Sequence, residues 1–393
     1  MKIEYIDNKR DMGIKYDFKA IKSRIRKLKL YPKDKDVWNP YHVPFDNAKW
    51  FTFMSIRSKG KTTSFLIMGL VMYEMYGTVT QYIRQNDYLL TPKYSKGLYN
   101  IVNSCGYVPK ITGGRWDAVV LKARRWYYCK YDDNGKIAEM SKDYVCIMTS
   151  IDKQNDNKSL INEPRGDLII YDEFINKYYL PDEFIELSQL ISSIRRIRKS
   201  PIIILLSNTV DINSLYFNEL EISDTVYHME AGDRNIITSS GGTNVYVEII
   251  DPSQSQRRIE SDRLFFGFKN KMLGAITGST LWAENNYPHI IRDEKTHVIA
   301  RNLYIQHNNK LVNLELSMNR AGLVVNCHWA TKTYDDSIIY TLGTIVNTQY
   351  RYKQGYTKLD KLVWNLYTKN KFYYATNDVG GLVSSYLIQS KMQ

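Results

Sequence analysis

The stretch FTFMSIRSKGKTTSFLIM, residues 51–68, runs from an apolar segment through a basic, glycine-containing turn into a second apolar segment. That is the order of a strand entering a tight turn and leaving it as a helix. Residues Ser55, Ile56, Arg57, Ser58, Lys59, Gly60, Lys61 and Thr62 match the phosphate-binding pattern G-x-x-x-x-G-K-[ST] except at its first position, where Ser55 replaces glycine. In such a loop, backbone N–H groups and a helix N-terminus face an anion. Gly60 allows close backbone approach, Lys61 is placed to reach the β- and γ-phosphates, and Thr62 to hold Mg2+. Ser55 keeps its backbone N–H and needs only a conformation without positive φ. The competing reading is an ordinary basic turn.

A second constellation weighs against that reading. DLIIYDEF, residues 167–174, is an apolar strand with Asp172 at its C-terminal end, where a carboxylate can join a magnesium shell, and with Glu173 beside it to activate water. IIILLSN, residues 202–208, presents Ser207 and Asn208 one strand later. Together with the loop these stretches indicate a P-loop ATPase with a catalytic glutamate and a polar γ-phosphate sensor, working with ATP and Mg2+. Further strands are expected at 50–54, 80–84 and 144–148, and a buried helix at 62–76. Short apolar strands alternating with helices point to an α/β domain with a mainly parallel sheet. Phe184, Leu187, Ile191 and Ile194 mark one face of another helix, which runs out into Arg195, Arg196 and Arg198.

The chain has 393 residues, 44% of them hydrophobic, which is enough for a sizeable core and too long for one typical domain. Its net charge of +13 suits a polyanionic partner, although an A/T-rich coding bias would give the same composition. Cys105, Cys129, Cys146 and Cys327 lack metal-binding or paired spacing, so buried thiols in a reducing compartment are expected. Neither an N-terminal signal segment nor an apolar run of membrane-spanning length is present, and a soluble, intracellular chain without membrane partners is expected.

Near the N-terminus Phe18, Ile21, Ile25 and Leu28 recur at helical spacing among Lys19, Lys22, Arg24, Arg26, Lys27 and Lys29. Two readings are open for this helix: a solvated face packed on the main domain, or a nucleic-acid contact. The glycines and serines of SSGGTNVYVEIIDPSQSQRRIESDR mark the close of the first domain, and from about residue 296 β-rich sequence forms a smaller α+β unit with a helix around 359–367.

Three stretches, NPYHVPFDNAKWFTFMSIRSKGKTT, GDLIIYDEFINKYYLPDEF and RRIRKSPIIILLSNTVDINSLYF, resemble the genome-packaging ATPases of phi29-like tailed phages, relatives of the large terminases. The resemblance is motif-specific from Trp38 to Phe217 and weak beyond. It implies an ASCE-type ATPase domain, a linker domain and an RNase H-like domain. The corresponding boundaries are a basic N-terminal segment at 1–37, the ATPase at 38–250, the linker at 251–295 and the RNase H-like domain at 296–393. It implies a homo-oligomeric ring, a pentamer, at the portal of a viral procapsid in the host cytoplasm, driving double-stranded DNA inward with the help of a structural packaging RNA. Lys61 and Thr62 fall on the family's loop residues, Asp172 and Glu173 on its magnesium and catalytic acids, and Arg196 on its trans-acting arginine finger, with Arg198 as rival. Arg57 has two possible tasks, phosphate contact or a latch on Glu173.

Nuclease chemistry of the RNase H type needs several carboxylates around two metal ions. The early strands of the last domain carry only Glu315, while Asp335, Asp336, Asp360 and Asp378 lie elsewhere, so a vestigial nuclease is expected. Two alternatives to a translocating motor stay open: a nucleotide-switched nucleic-acid-binding assembly protein, and a terminase with an active nuclease.

Overall fold

A computed structural model of the chain places the apolar stretches at 51–54, 168–171 and 202–206 in buried strands and that at 65–72 in a buried helix. It describes residues 15–31, 37–56, 59–153, 166–176, 179–180, 182–195, 201–208, 212–251, 253, 287–290, 298–307, 309–319, 322–334, 337–343, 349–351 and 357–390. Two compact units are formed, one drawn from Met1–Phe174, Ile185–Asn208 and Met229–Phe268, the other from Ile175–Phe184, Thr209–His228 and Lys269–Gln393.

The first unit is built on β1 (Trp50–Ser55), β2 (Thr80–Arg84), β3 (Ala118–Lys122), β4 (Arg125–Tyr131), β5 (Ile137–Ser150), β6 (Leu168–Asp172), β7 (Ile202–Asn208), β8 (Arg234–Thr238) and β9 (Asn244–Ile249). Their order in the sheet is β3-β4-β5-β2-β6-β7-β1-β9-β8. The six strands from β5 to β9 in this order run parallel, and β3, β4 and β8 are antiparallel additions at the two edges. Placing β7 between β1 and β6 gives a mostly parallel sheet that resembles ASCE/P-loop ATPase topology. Parallel strands covered on both faces read as continuous apolar runs, which is why β6 and β7 were legible. Within the stretch read as marking the close of this domain, the glycines and serines form the turn of the β8–β9 hairpin, where Ser239 N donates to Thr243 O and Gly242 has φ +81°. β9 then returns into the sheet beside β1.

Helix α1 (Phe18–Lys27) starts at Asp17, whose side chain accepts from Ala20 N. It packs on α2 (Lys61–Tyr76) through Phe18, Ile21 and Ile25. Much of its positive charge is engaged within the unit: Lys22 Nζ donates to Val43 O at 2.6 Å, Arg24 Nη2 to Ile111 O at 3.2 Å, and the Arg26 guanidinium stands 4.4 Å from the Tyr41 ring centre. Burial pulls the Lys22 ammonium below its usual range, against the attraction of Asp46. Helix α2 is buried along most of its length. At Gly69 it approaches β2 so closely that a Cβ would meet Thr80 Oγ1 at 2.2 Å. Helix α3 (Glu183–Arg195) buries Leu187, Ile191 and Ile194 of the face expected from its spacing, and Leu190 beside them, while Phe184 is half-buried.

The second unit holds β10 (Val298–His307), β11 (Lys310–Asn319), β12 (Gly322–Ala330), β13 (Ile339–Thr341), β14 (Tyr350–Arg351) and β15 (Phe372–Tyr374), in the order β14-β13-β10-β11-β12-β15. β10, β11 and β12 form an antiparallel meander, while β13 and β14 extend it in parallel beyond β10 and β15 does so beyond β12. Helices α4 (Lys358–Thr368) and α5 (Asn377–Gln389) pack against this smaller α+β sheet. Among the described residues no helix is long and apolar enough to cross a membrane.

Candidate functional site

The C-terminal ends of β1, β6, β7 and β2 deliver polar side chains to one edge of the first sheet. β1 ends at Ser55, which is fully buried, extended and in register with Asn208 at the end of β7. No positive φ is needed there, so the replaced glycine costs the loop no backbone strain. Gly60 carries the positive φ instead, at +76°, and its carbonyl accepts from Ser64 N as α2 begins. The Lys61 side chain folds back along the strand end, where its ammonium donates to Ser55 Oγ. Ser55 in turn donates to Ile56 O at 2.6 Å. Burial draws the Lys61 pKa down to about 8, while Asp172 and Glu173 favour the charged form.

Opposite the loop, Asp172 closes β6. The Thr62 hydroxyl lies 3.2 and 3.1 Å from its two carboxylate oxygens, and Tyr82 of β2 donates to Oδ2 at 2.7 Å. Glu173 follows with φ +60°, a left-handed conformation costly for a residue with a Cβ. The chain is held in that turn by Phe174 N, which donates to Leu206 O at 3.1 Å. Glu173 is thereby half exposed, and its carboxylate forms an ion pair with Arg84, the last residue of β2. Arg84 Nη1 also stands 3.6 Å from Asp172 Oδ2. Burial opposes the Arg84 charge, but Tyr82, Asp172 and Glu173 outweigh it and its pKa is raised. Burial, and then the neighbouring Asp172, hold the Tyr82 phenol well above its usual range, so it remains a donor.

Of the residues singled out in the sequence, Ser55, Gly60, Lys61, Thr62, Asp172, Glu173 and Asn208 meet at this edge. The Lys59 side chain is buried and donates to Ser253 O, while Trp38 N donates to Lys59 O at 2.8 Å, so its flexible charge is spent inside the protein. Arg57, Ser58, Arg196 and Arg198 lie outside the described residues. Sequence reading missed Arg84 and Tyr82. A charged residue at the C-terminal end of an otherwise buried parallel strand was the available signal.

Thr62 and Asp172 offer hard oxygen donors to one point, the chemistry that suits a magnesium ion completing its shell with water and phosphate oxygens. Among the described residues no group of three or more His, Cys, Asp or Glu side chains forms a self-sufficient metal site.

No protein-family model and no curated protein sequence matches the chain. Solved structures do. A chain of the phi-28 gp11 DNA packaging motor is 16% identical with a TM-score of 0.55, the match covering 91% of this chain and 98% of that one. A chain of the bacteriophage phi-29 viral genome packaging motor assembly is 17% identical with a TM-score of 0.51, covering 91% and 99%. At these identities the likeness is one of fold: over nine-tenths of its length the chain is similar in fold to the chains of these two phage packaging motors.

Proposed function

We propose that the protein is the ATPase of a viral packaging motor, hydrolysing ATP to move double-stranded DNA. One observation carries this: Lys61, Thr62, Asp172 and Glu173 converge at the C-terminal edge of a sheet whose order places β7 between β1 and β6. The fold likeness to packaging-motor chains supports the packaging setting, and the sequence resemblance adds a homo-oligomeric ring on a procapsid portal and a packaging RNA.

In this proposal the loop backbone from Ser55 to Gly60 and the N-terminus of α2 bind the phosphates, and Lys61 neutralises the β- and γ-oxygens. Thr62 and Asp172 would hold Mg2+, which when bound stabilises charge on the transferred phosphoryl group. Glu173 orients the attacking water and takes its proton. Asn208, between the loop and Asp172, senses the γ-phosphate. Arg196 of a neighbouring subunit supplies the transition-state cation. In the second unit the order β12-β11-β10-β13-β14, an antiparallel meander extended by parallel strands, supports an RNase H-like assignment. Among the described residues its carboxylates form no cluster: Glu315 accepts from Ser317 Oγ, and Asp360 serves a helix-capping box and accepts from Tyr340. Incubation with Mg2+ or Mn2+ is therefore expected to leave a supercoiled plasmid uncut.

A second function has one observation in its favour. The ion pair to Arg84 occupies the Glu173 carboxylate, as expected of a slow nucleotide switch in an assembly protein. Measuring ATPase rate with and without duplex DNA separates the two. A motor accelerates several-fold on DNA, and an unchanged slow rate would sink the motor assignment.

A further inference from the structure

The position at which this loop departs from the phosphate-binding pattern is the position that holds the lysine. Ser55 Oγ has its own proton committed to Ile56 O at 2.6 Å, so toward Lys61 it can act only as an acceptor, and the ammonium is the donor. Both groups are buried, Ser55 completely and Lys61 with 7% of its surface exposed. A glycine at this position has no atom with which to do this. Nor does β1 need a serine for its pairing, since the register with Asn208 is made by the backbone.

We infer that Ser55 is an affinity-setting residue: its hydroxyl is an internal stand-in for a phosphate oxygen, and a nucleotide must win Lys61 away from it. The inference rests on the nucleotide-site assignment above. A buried ammonium cannot leave one acceptor without another. Binding therefore exchanges a Lys61–serine bond for a Lys61–phosphate bond, whereas a glycine loop gains the second without losing the first. The same exchange run backward gives Lys61 a partner when product departs. The hydroxyl thus weakens substrate and product binding alike and favours turnover over tight holding. Only nucleotides with a phosphate that reaches Lys61 are subject to it.

The test is isothermal titration of the full chain with Mg2+ and either a non-hydrolysable ATP analogue, ADP or AMP. Ser55→Ala and Ser55→Gly are expected to bind the ATP analogue and ADP about five- to tenfold more tightly, the scale of one intramolecular hydrogen bond. AMP affinity is expected to stay at the wild-type value. A double-mutant cycle removes a purely structural explanation: on a Lys61→Met background the same Ser55 changes are expected to have no effect, because no ammonium remains to be held. If the wild type binds the ATP analogue and both Ser55 variants bind it equally or more weakly, the inference is overturned and the nucleotide site stands. The inference also fails if the gain persists without Lys61 or extends equally to AMP. If the wild type binds no nucleotide, inference and site fall together.

Discussion

Arg84 and Glu173, the last residue of β2 and the first beyond β6, form an ion pair across the sheet edge. The pair joins the candidate base to a strand with no part in the phosphate loop. Arg84 keeps 15% of its side-chain surface, Glu173 half of its own, so the bond has a buried cation and a solvated anion. A carboxylate in that position is easily released. Arg84→Gln should therefore raise DNA-independent ATPase activity by about 1.4- to fivefold, matching the roughly 0.2–1 kcal/mol of a half-solvated pair, and should diminish the further gain on adding DNA. A fall in basal rate, with nucleotide binding intact, would show that Arg84 supports the reaction instead of restraining it.

Lys61 and Glu173 are expected to act at different steps. Lys61→Ala removes the charge that faces the phosphates and should weaken nucleotide binding by about 10- to 100-fold, the scale of a hydrogen bond to a charged group. Glu173→Gln should bind ATP normally and lose about 10²- to 10⁴-fold in turnover, the usual contribution of a positioned base. Equal loss of ATP affinity in both variants would contradict the assignment.

Completion of the site between subunits is tested by mixing two inactive variants. Arg196→Ala and Glu173→Gln, each dead alone, should recover part of the ATPase activity when co-assembled, because some interfaces pair an intact Arg196 with an intact Glu173. An arginine finger contributes on the order of 10³–10⁵ in rate, so even a small fraction of such interfaces is measurable. Co-assembly without recovery would place the arginine in cis or outside the mechanism.

Helix α1 is expected to be a structural face. Phe18, Ile21 and Ile25 are buried, and Lys22, Arg24 and Arg26 are engaged within the first unit. Ile25→Ala should destabilise the unit by about 2–5 kcal/mol in denaturant unfolding. Changing the exposed Lys19, Lys27 and Lys29 together to Gln should leave the salt dependence of duplex-DNA binding unchanged. A log–log slope shallower by about 0.9 for each phosphate that is no longer neutralised would make the helix part of the DNA-binding surface.

Glu248 anchors the segment ahead of the phosphate loop. Trp38 Nε1 bonds its carboxylate at 2.9 Å, His42 Nε2 lies at 2.8 Å and Tyr246 donates at 2.8 Å. Burial alone would raise the Glu248 pKa, but the bonds from His42, Trp38 and Tyr246 and the His42 charge lower it from the ordinary 4.5. A carboxyl with a depressed folded-state pKa adds stability that is complete above its unfolded value and lost as pH falls through the folded one. Glu248→Gln should cost about 1.5–3 kcal/mol at neutral pH and flatten the loss of stability between pH 4.5 and more acidic conditions. Parallel acid unfolding of variant and wild type would refute this.

Those pieces of the fold and of the candidate site that depend on neighbours along the chain were legible in the amino-acid order. The strand–turn–helix around Gly60 was readable because a buried strand, a left-handed turn residue and a helix N-terminus occupy consecutive residues. β6 and β7 were readable because parallel strands buried on both faces cannot alternate polar and apolar residues. β3, β4, β8 and β9 were not, because their residues mix aromatic, charged and apolar types in ways that make sense only beside a sheet edge. The glycines at 241 and 242 marked a turn, but that it joins two strands of the sheet is decided only by the pairing of β8 with β9 and of β9 with β1. Tertiary structure alone decided that Arg84 meets Glu173, 89 positions along the chain, and that Lys61 turns toward Ser55. Both contacts follow from which strands are neighbours and where each one ends, a property of the sheet that no single segment carries.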